Sequence, residues 1–372
     1  MDNIRKELID SSERVVIKIG STVLASRQGI NQMMIDSLAE EISGIKKEVV
    51  IVSSGAIAAG MGRLSLKDRP KEIRLKQAVA AVGQSRLMWA YEKSFETYGK
   101  KVAQVLLTRE DLSDRRRYLY AKNTLETLIE FGVIPVINEN DTVAVDEIRF
   151  GDNDTLAVMV TNLLQADLLL ILSDVDGLCT SDPRSDSNAK LIDIITDITP
   201  QIERIAGESS TIEGTGGMFS KVQAAKKAAQ MGVATAIING TRPGSLRDFF
   251  ESREVGTFFA TGKDRLSLRK HWIAYTLKSK GTLTIDEGAK RAILKGGKSL
   301  LPSGITSIEG KFGVGDAVSC QDESRKKIVK GIVNYSSEDL NKIKGMKSSE
   351  IEKTLGYKYD DEVIHRDNMV IL

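Results

Sequence analysis

The strongest constraint in this sequence is a repeated alternation. Between residues 14 and 260, short runs of β-branched and aliphatic residues take turns with longer amphipathic stretches. The runs are RVVIKIG (14–20), EVVIV (48–52), KVAQVLL (101–107), GVIPVI (132–137), DLLLIL (167–172) and VATAII (233–238). Between the first two, Ile35, Leu38, Ile42 and Ile45 recur at three- and four-residue spacing, which predicts a helix over 31–46. Further helices are expected over 71–97, 115–131, 153–165 and 218–231. Apolar strands alternating with helices predict an α/β fold, a mainly parallel sheet sandwiched by helices. Such sheets bind ligands at the carboxyl ends of their strands.

The pattern changes after about residue 262. A polar, basic stretch follows, and from Gly281 the strands shorten and are punctuated by Gly, Pro and Asp, as in GTLTID, SGITSIEG, GDAVSC and KIVKGIVNY. The expected organisation is a domain over 1–262, a linker over 263–280 and a small, mostly β domain over 281–372.

Composition narrows the chemistry. The chain has 53 basic and 51 acidic residues, so it carries no overall nucleic-acid or membrane signature. Its two cysteines, Cys179 and Cys320, fit no zinc or redox spacing, which suits a reduced, cytoplasmic setting. The N-terminal MDNIRKELIDSSER is too charged for a signal peptide, and no apolar run approaches the ~20 residues of a membrane span. With only two histidines, His271 and His365, a histidine-rich metal site is excluded and a Ser-His-Asp hydrolase disfavoured. The work falls to lysines, carboxylates and backbone amides, with or without a bound metal.

The expected strand ends carry such groups. Lys18 lies among Val15, Val16, Ile17 and Ile19, where an unpaired ammonium would be costly, so it is expected to point to the strand end and an anion. A snorkelling surface lysine is the alternative. SSGAIAAGMG (53–62) offers small residues with accessible N–H groups. NENDTVAVDEIRFGDND (138–154) holds six carboxylates, read either as a site or as a solvated loop with a helix cap. GTGGMFSK (214–221) resembles a phosphate loop yet fits neither common template. Lys221 follows Ser220 rather than preceding a Ser or Thr, and Phe219 stands where a third dinucleotide-loop glycine belongs. Placed before an alanine-rich helix, it would offer N–H groups and a positive dipole end to phosphate, the alternative being a tight turn.

Two lysines, a phosphate-type loop and carboxylates point to phosphoryl transfer, which rests on positioning and charge stabilisation. An alcohol acceptor would call for a base. A carboxylic acid with a pKa of about 4.3 is already ionised and needs none.

VVIKIGSTVL, IVSSGAIAAGMG, AAVGQSRLM, LLTREDL, PVINENDTVA, FGDNDTLA, DVDGLCTSDPR and GTGGMFSK, in this order, resemble the glutamate-phosphorylating members of the amino acid kinase family. TIDEGAKRAIL, SLLPSGI, GVGDAV, KGIVNYSS and HRDNM resemble the PUA domain that follows in bacterial members. The resemblance implies ATP-dependent phosphorylation of the γ-carboxylate of L-glutamate to L-glutamyl 5-phosphate, the first step of proline biosynthesis. It implies that Lys18 and Lys221 stabilise the transferring phosphoryl group while Asp154 orients them. It assigns Ser54, Gly55, Asp141 and Asn153 to glutamate, assisted by Asn138 and Asp152. ATP falls to Lys18, Ser173, Asp174 and the run Thr215, Gly216, Gly217, Met218, Phe219, Ser220 and Lys221. Mg²⁺ is expected on the nucleotide phosphates, with no protein metal site. Proline inhibition at the glutamate site and a homo-oligomer (dimer or tetramer) are also implied; because acyl phosphates hydrolyse readily, a glutamyl phosphate reductase is expected as the partner that receives the product. Ser220 and Ser173 replace the family's usual threonines and keep the hydroxyl. Cys179 replaces a common tyrosine, which bears on packing near the nucleotide.

Two alternatives stand beside this reading. A related kinase acting on acetylglutamate, aspartate or carbamate would share the ATP loops, so the acceptor loops decide, and SSGAIAAG with INEND favours free glutamate. RNA binding through the PUA domain would want a basic patch, but residues 281–372 hold 15 Lys and Arg against 14 Asp and Glu.

Overall fold

Val15, Val16, Ile17 and Ile19 are β-branched, have no exposed surface and are flanked on both sides by other strands, so 14–19 forms the interior of a parallel sheet. The computed structural model describes residues 2–26, 29–143, 153–208, 217–261, 273 and 279–372. The chain forms two compact units, one before and one after residue 262. The expected linker 263–280 lies outside the described residues except for Ile273, Ser279 and Lys280.

In the first unit the strands are β1 (Arg14–Ile19), a short hairpin of β2 (Ala25–Ser26) and β3 (Gly29–Ile30), β4 (Glu48–Ser53), β5 (Lys101–Leu107), β6 (Val133–Glu139), β7 (Leu168–Ser173), β8 (Ile194–Ile195), β9 (Ala234–Asn239) and β10 (Thr257–Phe259). Eight of them form one sheet in the order β5-β6-β4-β1-β7-β9-β10-β8. β9 and β10 pair antiparallel, and the other neighbours run parallel. From β1 the chain steps to β4 on one side. After β5 and β6 it returns across β1 to β7 and β9 on the other. The strand order therefore reverses at β1, and the crevice above its carboxyl end is where an open α/β sheet binds ligands.

Strand alternation sorts the faces. Ile17 and Ile19 join Ile51, Leu170, Leu172 and Ile238 in a core built with Ile35, Leu38 and Ile42 of helix Gln32–Ser43 and Leu87, Tyr91 and Phe95 of helix Ile73–Glu96. Val16 and Lys18 take the opposite pleat, the one covered by helix Asn153–Leu163. Asn31 caps Gln32–Ser43 by accepting from the Met34 N–H, so that helix begins where the periodicity predicts.

The segment 53–62 differs from its reading as a loop. Ala56–Arg63 is a helix entered through Gly55 at φ +106°, a left-handed conformation that favours glycine. Its small residues serve packing: a Cβ on Gly60 would stand 1.9 Å from the Val79 carbonyl oxygen, and one on Gly83 would stand 1.8 Å from that of Ala56. Helices Ala56–Arg63 and Ile73–Glu96 thus cross backbone to backbone.

The second unit is a five-stranded sheet of β11 (Gly281–Ile285), β12 (Ile305–Gly310), β13 (Ala317–Gln321), β14 (Lys327–Ile332) and β15 (Met369–Ile371), in the order β12-β11-β13-β14-β15. Its own core contains Leu283, Ile285, Val318, Cys320, Val329 and Tyr335. β15 carries no sequence signal of its own.

Candidate active site

Lys18 enters the site because a strand pleat turns it away from the Ile17–Ile19 core. Asp154 enters because it lies in the first turn of helix Asn153–Leu163, and Lys221 because it lies in the first turn of helix Met218–Gln230. Lys18 Nζ is 2.5 Å from Asp154 Oδ1, and Lys221 Nζ is 3.7 Å from Asp154 Oδ2. Ser220 Oγ lies 2.8 Å from Asp154 Oδ2 and 2.9 Å from the Gly217 carbonyl. The relative exposures of Lys18, Asp154 and Lys221 are 4%, 0% and 5%, so solvent screens these charges weakly. Burial pushes the Asp154 carboxyl up, but Lys18, then Lys221, with the Lys18 and Ser220 hydrogen bonds, hold it below the usual carboxylate range. Two ammonium groups share one carboxylate, so the trio carries a net charge of +1 and suits an anion.

The neighbouring residue serves a second cluster. Asn153 Nδ2 lies 2.9 Å from each of the Ser53 carbonyl oxygen, Ser54 Oγ and Asn138 Oδ1. These partners come from the carboxyl ends of β4 and β6. Ser54 is fixed from behind, its N–H donating to the Ile19 carbonyl at 3.0 Å. Ser53 Oγ shares a 2.8 Å hydrogen bond with the Tyr91 hydroxyl in the core beneath. Asn138 in turn donates from Nδ2 to Gln84 Oε1 at 2.9 Å.

The remaining expected residues are spread along the same edge. Asp141 is half-buried in the turn after β6. Ser173 ends β7, next to β1, its Oγ 3.2 Å from Asp174 Oδ1 and its carbonyl accepting from the Gly240 N–H at 2.7 Å. Asp174 is exposed, as is Phe219, while Gly217 and Met218 are half-buried. Cys179 is half-buried and bridges to Leu191, and burial pushes its thiol up. Asp152, Thr215 and Gly216 lie outside the described residues. Gln84 was missing from the expected set, although a lone glutamine on the buried side of an otherwise apolar helix face is a signal the sequence offered.

Among the described residues, no group of three or more His, Cys, Asp or Glu side chains is placed to hold a metal ion. Both oxygens of Asp154 are engaged by Lys18, Lys221 and Ser220. This donor set fits a metal carried on substrate phosphates rather than one caged by protein.

Two buried lysines converging on one carboxylate at the switch point of a mainly parallel sheet make a site suited to an anion such as a transferring phosphoryl group. Residues 13–239 match the amino acid kinase family and residues 281–355 match the PUA domain. The chain belongs to the amino acid kinase family, and it is a kinase. It is 50% identical to the glutamate 5-kinase of Geobacter sulfurreducens, across 99% of this chain and 100% of that one. It is 52% identical to that of Syntrophotalea carbinolica over the same shares. To the glutamate 5-kinase of a Thermoanaerobacter species it is 51% identical, covering 96% and 98%. No described helix is long and apolar enough to cross a membrane.

Proposed function

We propose that this kinase transfers the γ-phosphoryl group of ATP to the γ-carboxylate of L-glutamate, giving L-glutamyl 5-phosphate and ADP in the first step of proline biosynthesis. The observation that carries the reading is the adjacency of Asn153, tied to Ser54 and Asn138, and Asp154, tied to Lys18 and Lys221. One helical turn serves an acceptor side and a phosphoryl side.

A γ-carboxylate oxygen of glutamate forms the new bond to the γ-phosphorus as the bond to the β,γ-bridging oxygen breaks. No proton moves, because the acceptor is already ionised at neutral pH. The chain's task is to bring anions together. Lys18 and Lys221 offset the charge of the acceptor and the equatorial phosphoryl oxygens, and their burial strengthens that effect as charge develops. Asp154 holds both ammonium groups in place. Ser54 Oγ accepts from Asn153, so its own O–H is left to donate to the acid. Asn138, Asp141 and Asp152 complete the acceptor side with the Gly55 amide. Ser173, Asp174 and residues 215–221 hold the nucleotide, and a Mg²⁺ arriving with it would supply further charge neutralisation there.

Proline is the expected competitor at the acceptor side, and the working protein is a homo-oligomer. Its acyl phosphate product is passed to a glutamyl phosphate reductase, since such anhydrides hydrolyse readily. The test is an assay with ATP, Mg²⁺ and glutamate in which hydroxylamine traps the acyl phosphate. Acetylglutamate and aspartate serve as parallel acceptors, and proline is added last. Hydroxamate from glutamate alone, suppressed by proline, supports the reading. Turnover with only another acid reassigns the acceptor loops. Absence of turnover with any acid removes the proposed reaction.

A further inference from the structure

The hydrogen bonds around Asn153 have a direction, and that direction ends at Gln84. A backbone carbonyl can only accept, so the Ser53 oxygen 2.9 Å from Asn153 fixes that side chain with its NH₂ group toward β4. The same NH₂ lies 2.9 Å from Asn138, which must therefore present its oxygen and turn its own NH₂ the other way. That NH₂ meets Gln84, which must present Oε1. Each amide dictates the orientation of the next. Only the last link comes from outside the strand ends and the helix that carries Asn153.

Gln84 has little other reason to be polar. It is 9% exposed, between the buried Gly83 and the core residue Leu87, and its Nε2 is buried without a hydrogen-bond partner among the described residues. A buried donor left unmatched is unfavourable, and a leucine or methionine would fill the volume without it. What the glutamine supplies is an acceptor for Asn138. The helix crossing at Gly83 fixes its height, because Gly83 sits against the Ala56 backbone one residue away.

We infer that Gln84 is a positioning residue for the acceptor. By accepting from Asn138 it holds that amide with its oxygen toward Asn153, whose own orientation the Ser53 carbonyl sets, and so steadies the acceptor side without taking part in phosphoryl transfer. This rests on the acid-phosphorylating reading above.

The experiment begins with wild-type protein and glutamate in the hydroxamate assay. If wild type does not use glutamate, the functional reading fails by itself, and the variants are then measured with whichever acid it does use. Gln84→Met is expected to raise the KM of the acid about tenfold while kcat and the KM of ATP stay within about twofold. In an Asn138→Ala background the same change should add less than about twofold, because Gln84 acts through Asn138. Gln84→Glu keeps an acceptor for Asn138 and should fall between wild type and Gln84→Met in acid KM. If Gln84→Met proves too unstable to assay, Gln84→Glu and Asn138→Ala carry the comparison. A wild-type KM in Gln84→Met overturns the proposal, as do equal losses for acid and ATP or full additivity with Asn138→Ala. So does a Gln84→Glu variant worse than Gln84→Met, which would mean that the side chain touches the substrate itself.

Discussion

Lys18 and Asp154 form an ion pair of 2.5 Å with side-chain exposures of only 6% and 1%. Replacing Asp154 by alanine strands two ammonium groups, since Lys221 shares the same carboxylate. Breaking a buried pair by removing one partner costs about 3–5 kcal/mol. Asp154→Ala should therefore shift the urea midpoint down sharply and lower kcat about a hundredfold or more. Denaturation curves and steady-state rates on the same preparation check both.

The pH dependence has a definite sign. The folded carboxyl of Asp154 titrates below its unfolded value, because Lys18 and Lys221 outweigh the burial that opposes them. Its contribution is fully present above the unfolded pKa of about 3.9 and is lost as pH falls through the lower folded value. The stability gap between wild type and Asp154→Asn should be constant from about pH 5 to 8 and should narrow below about pH 4. Urea midpoints measured across that range test it, and a gap that narrowed near neutrality would contradict the assignment.

Lys221 and Asp141 should separate kinetically. In the proposed reaction Lys221 serves charge that grows in the transition state, so Lys221→Ala should depress kcat about a hundredfold with the glutamate KM within a few-fold. Asp141→Ala should mainly raise the glutamate KM. Saturation curves in each substrate decide between these patterns, and the reverse pattern would exchange the roles.

Gly83→Ala is the sharpest packing test. The new methyl would lie 1.8 Å from the Ala56 carbonyl oxygen, a backbone atom that cannot swing aside. Overpacking of this kind typically costs about 1–3 kcal/mol. The displaced helix carries the residues that follow Ser54 and Gly55, so a fall in Tm should come with a raised glutamate KM. Thermal melts and kinetics of the variant supply the check.

The long elements were legible because their periods are long. Lys101–Leu107 coincides with its predicted strand, and Gln32–Ser43, Ile73–Glu96 and Arg115–Glu130 fall within their predicted spans. β8 and β10, of two and three residues, are too short to show any period. Ala56–Arg63 was hidden for a different reason: Gly60 is there for close helix crossing, which depends on a partner, Val79, 19 residues away on another helix. Lys18 could be singled out because a charge in an apolar strand is locally anomalous, and Lys221 because it ends a glycine-rich loop before a helix, whereas Asp154, which also reads as an ordinary helix cap, was assigned only by the family resemblance. Gln84 was visible as a polar residue on a buried helix face, but its role was not legible, since its partner Asn138 is 54 residues distant and only the fold joins them.

Asn153 and Asp154 are consecutive, and this sets a length scale for the reaction. Successive Cα atoms are about 3.8 Å apart, and successive side chains on a helix diverge by roughly 100°. The gap between the two halves of the site is thus written into covalent bonds rather than into packing. In the proposed reaction, a movement of helix Asn153–Leu163 would carry the acceptor side and the phosphoryl side together, like the jaws of a caliper on one beam. Thermal motion can alter how the pair is aimed, but it cannot easily change how far apart they are held.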